Sequence, residues 1–227
     1  MRWRRSSLVL FLALLWLPAA AATARDATVC AEAATEAARA SGVPEGWLQA
    51  IALVESGRSD GPGRSAWPWA VNDHGEGFWF AGKREAMRHV ERRLAAGKTS
   101  VDVGCFQINW RWHGQAFDSL AQAFEPWANA RYAARFLSRL YEETGSWPAA
   151  VGRYHSATPH LNKAYRARVA RVRQAETRQP AAVRVLRPPR AAGGVALAML
   201  RPAEPLLRET GQPLILRAAP PLAGNRP

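Results

Sequence analysis

Trp47-Leu48-Gln49-Ala50-Ile51-Ala52-Leu53-Val54-Glu55-Ser56-Gly57 is the stretch on which the reading of this sequence turns. Pro44, just ahead of it, suits the first turn of a helix, and the helix is expected to run to about Glu55. Leu48, Ile51 and Ala52 precede Glu55 by seven, four and three residues, offsets that put all four on one face. A carboxylate on an apolar face is costly unless it is paired or protonated. The C-terminal end of a helix also disfavours negative charge. Both effects strengthen the hold of Glu55 on its proton, which is what a general acid needs near neutral pH. Periodicity alone leaves equal room for a helix-terminal glutamate that turns to solvent.

The flanking segments are mainly helical. Asp26 to Ala40 reads as an alanine-rich helix ending before Ser41-Gly42. Gly57 to Pro68 reads as loop, and Trp69 to Phe80 as a hairpin around Asn72-Asp73-His74-Gly75. Lys83 to Ala96 is a charged helix stopped by Gly97. Pro126 to Thr144 is the clearest helix, with Trp127, Ala130, Ala134, Leu137 and Tyr141 on one stripe and Gly145 at its end. Ser146 can cap a helix reaching Tyr154, and Thr158-Pro159 can start a last one to about Gln174. Trp47 and Trp127 fit helix stripes and are expected in the core, whereas His113 with Trp110 and Trp112 could form a sugar-stacking patch. The expectation is one mostly α (α+β) domain, residues 25–179, with a small β-hairpin insert.

The two ends differ in kind. Residues 1–24 begin with Arg2, Arg4 and Arg5, continue through the apolar run Leu8 to Leu17, and finish on Ala22-Thr23-Ala24. This is the pattern of a secretory signal peptide, with the mature chain expected from Arg25 and a periplasmic location. A spanning helix needs roughly twenty apolar residues, so no transmembrane segment is expected after cleavage. Residues 180–227 hold nine prolines and seven arginines against Glu204 and Glu209, and read as a disordered tail. Its apolar islands, Val195 to Leu200 and Leu214 to Leu216, could dock a protein of an envelope machine or belong to an inert spacer. The formal charge of +13 usually invites a nucleic-acid reading. Export argues against it and favours the anionic polymers of the envelope. In an oxidising compartment the isolated pair Cys30 and Cys105 reads as a disulfide rather than two buried thiols. The five histidines show no metal spacing, and no cofactor is expected.

Three short segments carry a resemblance. Ala52-Leu53-Val54-Glu55-Ser56-Gly57 resembles the glutamate-serine motif of the SLT-type lytic transglycosylases, relatives of goose-type lysozyme. Val103-Gly104-Cys105-Phe106-Gln107-Ile108-Asn109 is similar to that family's Gly-Leu-Met-Gln-Ile motif, with Cys105 and Phe106 in place of leucine and methionine. Ala150-Val151-Gly152-Arg153-Tyr154-His155-Ser156 stands where the family has alanine-tyrosine-asparagine, with His155 in place of the asparagine. Fifty-two residues separate Glu55 from Gln107, more than in compact members, which resembles the branch associated with secretion, conjugation or flagellar machines.

The resemblance implies a lysozyme-like fold acting on peptidoglycan glycan strands. It implies Glu55 as the single catalytic acid/base, with Gln107 contacting substrate, Asn109 beside it in the cleft and Tyr154 lining the site. Ser56 is a further substrate-binding candidate, and His155, where the asparagine's role does not carry over, is either a substrate contact or a rim residue. Glu55 would protonate the bond between N-acetylmuramic acid and N-acetylglucosamine, then deprotonate the muramic C6 hydroxyl to close a 1,6-anhydro ring. A two-carboxylate hydrolase would need a partner for Glu55, and Asp73, Glu76 and Asp102 are the only candidates. Asp102 is expected to fix the loop before Gly104, and Asp73 and Glu76 to lie on a solvated hairpin. A hydrolytic muramidase and a non-catalytic peptidoglycan-binding component remain as alternatives.

Overall fold

The structure, a computed structural model, describes residues 19–59 and 63–178. The leader as far as residue 18 and the 180–227 tail therefore lie outside the described residues. Helix α1 (Ala19–Ser41) runs along α6 (Pro126–Thr144) and packs on α2 (Trp47–Ser56). It is continuous across the expected cleavage point after Ala24. Helix α2 starts three residues later than Pro44 suggested. Gly46, at φ +84°, takes the left-handed turn that separates α2 from the preceding chain, and Gln49 Oε1 accepts from its N–H at 3.1 Å. Helices α7 (Trp147–His155) and α8 (Pro159–Arg178) close the domain by packing on α6 and α2. No helix among the described residues is long and apolar enough to cross a membrane.

Between α2 and α6 lies more β-structure than the sequence suggested. Strands β1 (Gly57–Ser59) and β2 (Arg64–Ala66) pair antiparallel where loop was expected. The expected hairpin, β3 (Ala70–Asp73) and β4 (Glu76–Trp79), is half of a four-stranded antiparallel sheet ordered β4-β3-β5-β6, completed by β5 (Val101–Val103) and β6 (Ile108–Asn109). Helix α3 (Lys83–Ala95) covers one face, where Ala86 and Val90 pack with Val71, Val101 and Val103. Short helices α4 (Trp110–His113) and α5 (Leu120–Ala123) lead on to α6. A larger helical core joins Leu48, Ile51, Phe106, Leu137, Tyr154 and Tyr165. Cys30 of α1 is bonded to Cys105, their Cα atoms 5.6 Å apart.

Three expectations are corrected. Trp127 is 36% exposed rather than in the core, its indole N–H donating to Glu36 at 3.0 Å, because it lies at the outer end of its stripe. Trp47 is buried as expected. Asp73 is buried, not solvated, with Arg93 Nε 2.5 Å away and His74 Nδ1 at 2.8 Å. His113 does not join an exposed patch. It is buried with Nδ1 2.6 Å from Tyr132 Oη, and Trp112 alone of that trio is well exposed.

Candidate active site

Of the two placements that periodicity left open, α2 has Glu55 on the face that carries the buried Leu48, Ile51 and Ala52. Glu55 is half-buried as a residue, and one of its carboxyl oxygens bonds α8. Tyr165 of α8 donates its hydroxyl proton to Glu55 Oε1 at 2.5 Å. Burial pushes the Glu55 carboxyl up to about 7, against the opposing pull of the Tyr165 hydrogen bond and the Arg168 guanidinium. At neutral pH the carboxyl is therefore divided between its two protonation states. Since Oε1 accepts from Tyr165, the proton belongs on Oε2.

The next residue ties this helix end to the rest of the site. Ser56 is buried, and its hydroxyl donates to Cys105 O at 2.8 Å, with Ala52 O at 3.1 Å as the alternative acceptor. It accepts from Trp67 N at 3.2 Å. The Ser56 carbonyl accepts from the Trp79 indole at 3.0 Å. The second motif is thus bonded to the first through a single hydroxyl.

Gln107 sits at φ +48°, a left-handed conformation that costs a non-glycine residue about 1–3 kcal/mol. Its side-chain amide donates to Gly104 O at 2.9 Å and Ala70 O at 3.2 Å, holding the turn against β3. Asn129 of α6 supports the same turn from behind. It accepts from Phe106 N at 2.9 Å and donates to Val103 O and Ala123 O. A side chain at Gly104 would meet it, with a Cβ 2.8 Å from Asn129 Nδ2.

Asn109 is buried and donates to Asp102 Oδ1 at 2.7 Å, leaving its own Oδ1 without a partner. Asp102 lies on strand β5, two residues before Gly104. Burial holds its carboxyl well above the usual range, with Asn109 opposing and the Glu55 charge adding to the rise. Register places Gly77, Asn72, Asp102 and Asn109 in one row across the sheet, with Trp79 and Ala70 beside them on the same face. This is the face opposite α3. It is tied to the end of α2 by Trp79, and Asp102 on it feels the Glu55 charge.

Tyr154 is fully buried and donates to Phe106 O at 3.1 Å, so it braces the second motif while Tyr165 bonds the glutamate. His155 stacks flat on Tyr165, ring centroids 4.6 Å apart. Burial, then Arg168, lowers its pKa to about 4, so it is neutral at pH 7. Arg168 lies over the Tyr165 ring at 5.7 Å. Sequence reasoning missed Tyr165. It lies four residues before Val169 and seven before Val172 on the apolar stripe of α8, a spacing that reads as core. Among the described residues no three His, Cys, Asp or Glu side chains are gathered as a metal ion would require.

A helical bundle joined to small antiparallel sheets, with Glu55 at the end of α2, is a lysozyme-like α+β domain. The family described as Transglycosylase SLT domain matches residues 32–176, and the chain belongs to it. Lytic transglycosylase action on peptidoglycan is the general activity of that family. Searches of the curated proteins and of the solved structures each returned no significant match.

Proposed function

We propose that the chain cleaves the β-1,4 bond between N-acetylmuramic acid and N-acetylglucosamine in peptidoglycan, leaving a 1,6-anhydromuramic end. Glu55 is the acid/base. The observation that carries this reading is its carboxyl, raised to about 7 and, among the described residues, hydrogen-bonded through Oε1 to Tyr165. The protonated form donates from Oε2 to the glycosidic oxygen as that bond breaks. The resulting carboxylate, stabilised by Tyr165 and Arg168, takes the proton of the muramic C6 hydroxyl, whose oxygen closes on C1. One group serves both steps because its pKa lies near the working pH, and such proton transfer contributes about 10²–10⁴-fold.

The geometry favours ring closure over hydrolysis. An inverting hydrolase needs a second, ionised carboxylate as base, and a retaining one needs it as nucleophile. Asp102 is the carboxyl coupled to Glu55, and burial disfavours the charged form that either role needs, against the opposing pull of its Asn109 bond. Gln107, Asn109, Tyr154 and His155 shape the site around the glutamate, while Ser56 binds the first motif to the second. We further propose that the protein works in the periplasm, opening the wall locally for an envelope machine that the tail contacts. The leader-like residues 1–24 and the long gap between the first two motifs support that setting.

Glu55→Gln tests the chemistry. The amide keeps the shape and can accept from Tyr165, but cannot give and take the proton. Cleavage of purified sacculi is expected to fall by at least about 10²-fold, with the circular dichroism unchanged. Products of the native chain are expected to carry anhydromuramic ends. Reducing muramic ends would identify a hydrolase, and near-native turnover by Glu55→Gln would remove Glu55 from the mechanism.

A further inference from the structure

We infer that Trp79 is a sugar-stacking platform, forming a glycan subsite beside Glu55 on the β3–β4 hairpin. The inference rests on the proposed glycan substrate and adds to it a binding residue that lies in none of the three motifs.

Trp79 is 38% exposed, yet its indole N–H is not available to a ligand, because it donates to Ser56 O at 3.0 Å. What remains for contact is the apolar ring. An aromatic side chain in this state offers a large, nearly rigid surface at little entropic cost. The anchor also fixes its location. Ser56 follows Glu55 directly, and consecutive Cα atoms are about 3.8 Å apart, so the ring is held within a few ångströms of the acid-bearing turn.

The surroundings leave space for a ligand on that face. Trp79 shares the sheet face with Gly77, Ala70, Asn72, Asp102 and Asn109. Toward β6 the row is buried, with Asp102 and Asn109 closed off from solvent. Toward β4 it opens, and Gly77 brings no side chain to the place next to the ring. A glycan strand whose scissile bond lies at Glu55 would leave along this open side. The hydrophobic faces of its pyranose rings, made of C–H groups, match an indole surface that has no hydrogen bond to offer. Trp127 shows that exposure alone does not define the site. It too is partly exposed, and its N–H is likewise satisfied, by Glu36, but it sits on the α1–α6 side of the molecule.

Binding is read in the full chain carrying Glu55→Gln, so that bound sugar is not cut. The probe is the β-1,4-linked N-acetylglucosamine tetramer, titrated by calorimetry. Trp79→Ala is expected to weaken binding about tenfold. Trp79→Phe, which keeps a ring face but loses the bond to Ser56, is expected to keep most of it, and Trp127→Ala all of it. Unchanged affinity in Trp79→Ala overturns the inference. So does an equal loss in Trp79→Phe, since the N–H tether would then be what matters.

If Trp79→Ala does not fold, oxidation by N-bromosuccinimide in the unsubstituted ring decides. Trp79 is expected to be protected by the tetramer while Trp127 is not, and absence of protection overturns the inference. Failure of the Glu55→Gln chain to bind the tetramer also overturns it. Sacculus cleavage by the native chain then separates the two readings. Cleavage without tetramer binding sinks the Trp79 subsite alone, and neither activity sinks the proposed substrate as well.

Discussion

At the scale of single residues, the Glu55–Tyr165 bond sets the protonation behaviour of the site. Burial raises the carboxyl, and the tyrosine hydrogen bond lowers it again by favouring the charged form. Tyr165→Phe removes that lowering influence and leaves burial and the Arg168 charge in place. The Glu55 carboxyl then holds its proton to higher pH, so the alkaline limb of kcat/KM is expected near pH 7 in the native chain and higher in the variant. Turnover falls at the same time, because the carboxylate formed in the first step loses its donor. A pH profile that falls uniformly without moving would show Tyr165 to be structural only. Helix phase put Glu55 on the apolar face but left a turn to solvent equally open, and it was the resemblance of Ala52 to Gly57 to a family motif that singled it out. Tyr165 was not legible, because a tyrosine on an apolar stripe has the same pattern whether its hydroxyl meets a backbone carbonyl or an acid. Tyr154, eleven residues earlier, makes the point: it is equally buried and ends on Phe106 O.

At the scale of elements, legibility followed length. Helix α6 was readable at both ends, since Pro126 opens it and Gly145, at φ +64°, closes it. Strands β1, β2, β5 and β6 have two or three residues each, too few for alternation to register against glycine, proline and serine. Their pairing is decided by tertiary contacts that a local pattern does not contain. The junction of α2 and β1 shows how tight those contacts are. A Cβ on Gly57 would lie 2.2 Å from Leu53 O and 2.7 Å from Arg64 Nε, and the first of these is backbone that has no side-chain freedom to yield. Gly57→Ala is therefore expected to cost about 1–3 kcal/mol of stability, measured by chemical denaturation. It is also expected to reduce turnover, because the strain falls on the turn that carries Glu55 and the Ser56 carbonyl. A neutral change in both would mean that the strand pair can shift without disturbing the helix end.

At the scale of the whole molecule, the helical core and the smaller sheet core meet along the segment from Val103 to Ile108. The Cys30–Cys105 bond pins that segment to α1. Closing 75 residues removes chain entropy from the unfolded state worth roughly 4 kcal/mol. Reduction is expected to lower the denaturation midpoint accordingly, and an unchanged midpoint would show that packing alone holds the two cores. The same bond makes the backbone from Cys30 to Cys105 a covalent ring, which contains Glu55, Trp79 and Asp102, while Tyr165, His155 and Arg168 lie outside it. A protease that nicks the exposed His74-Gly75 turn therefore opens the ring without parting the molecule, and the product is a two-chain enzyme that separates only when its sulfurs are reduced.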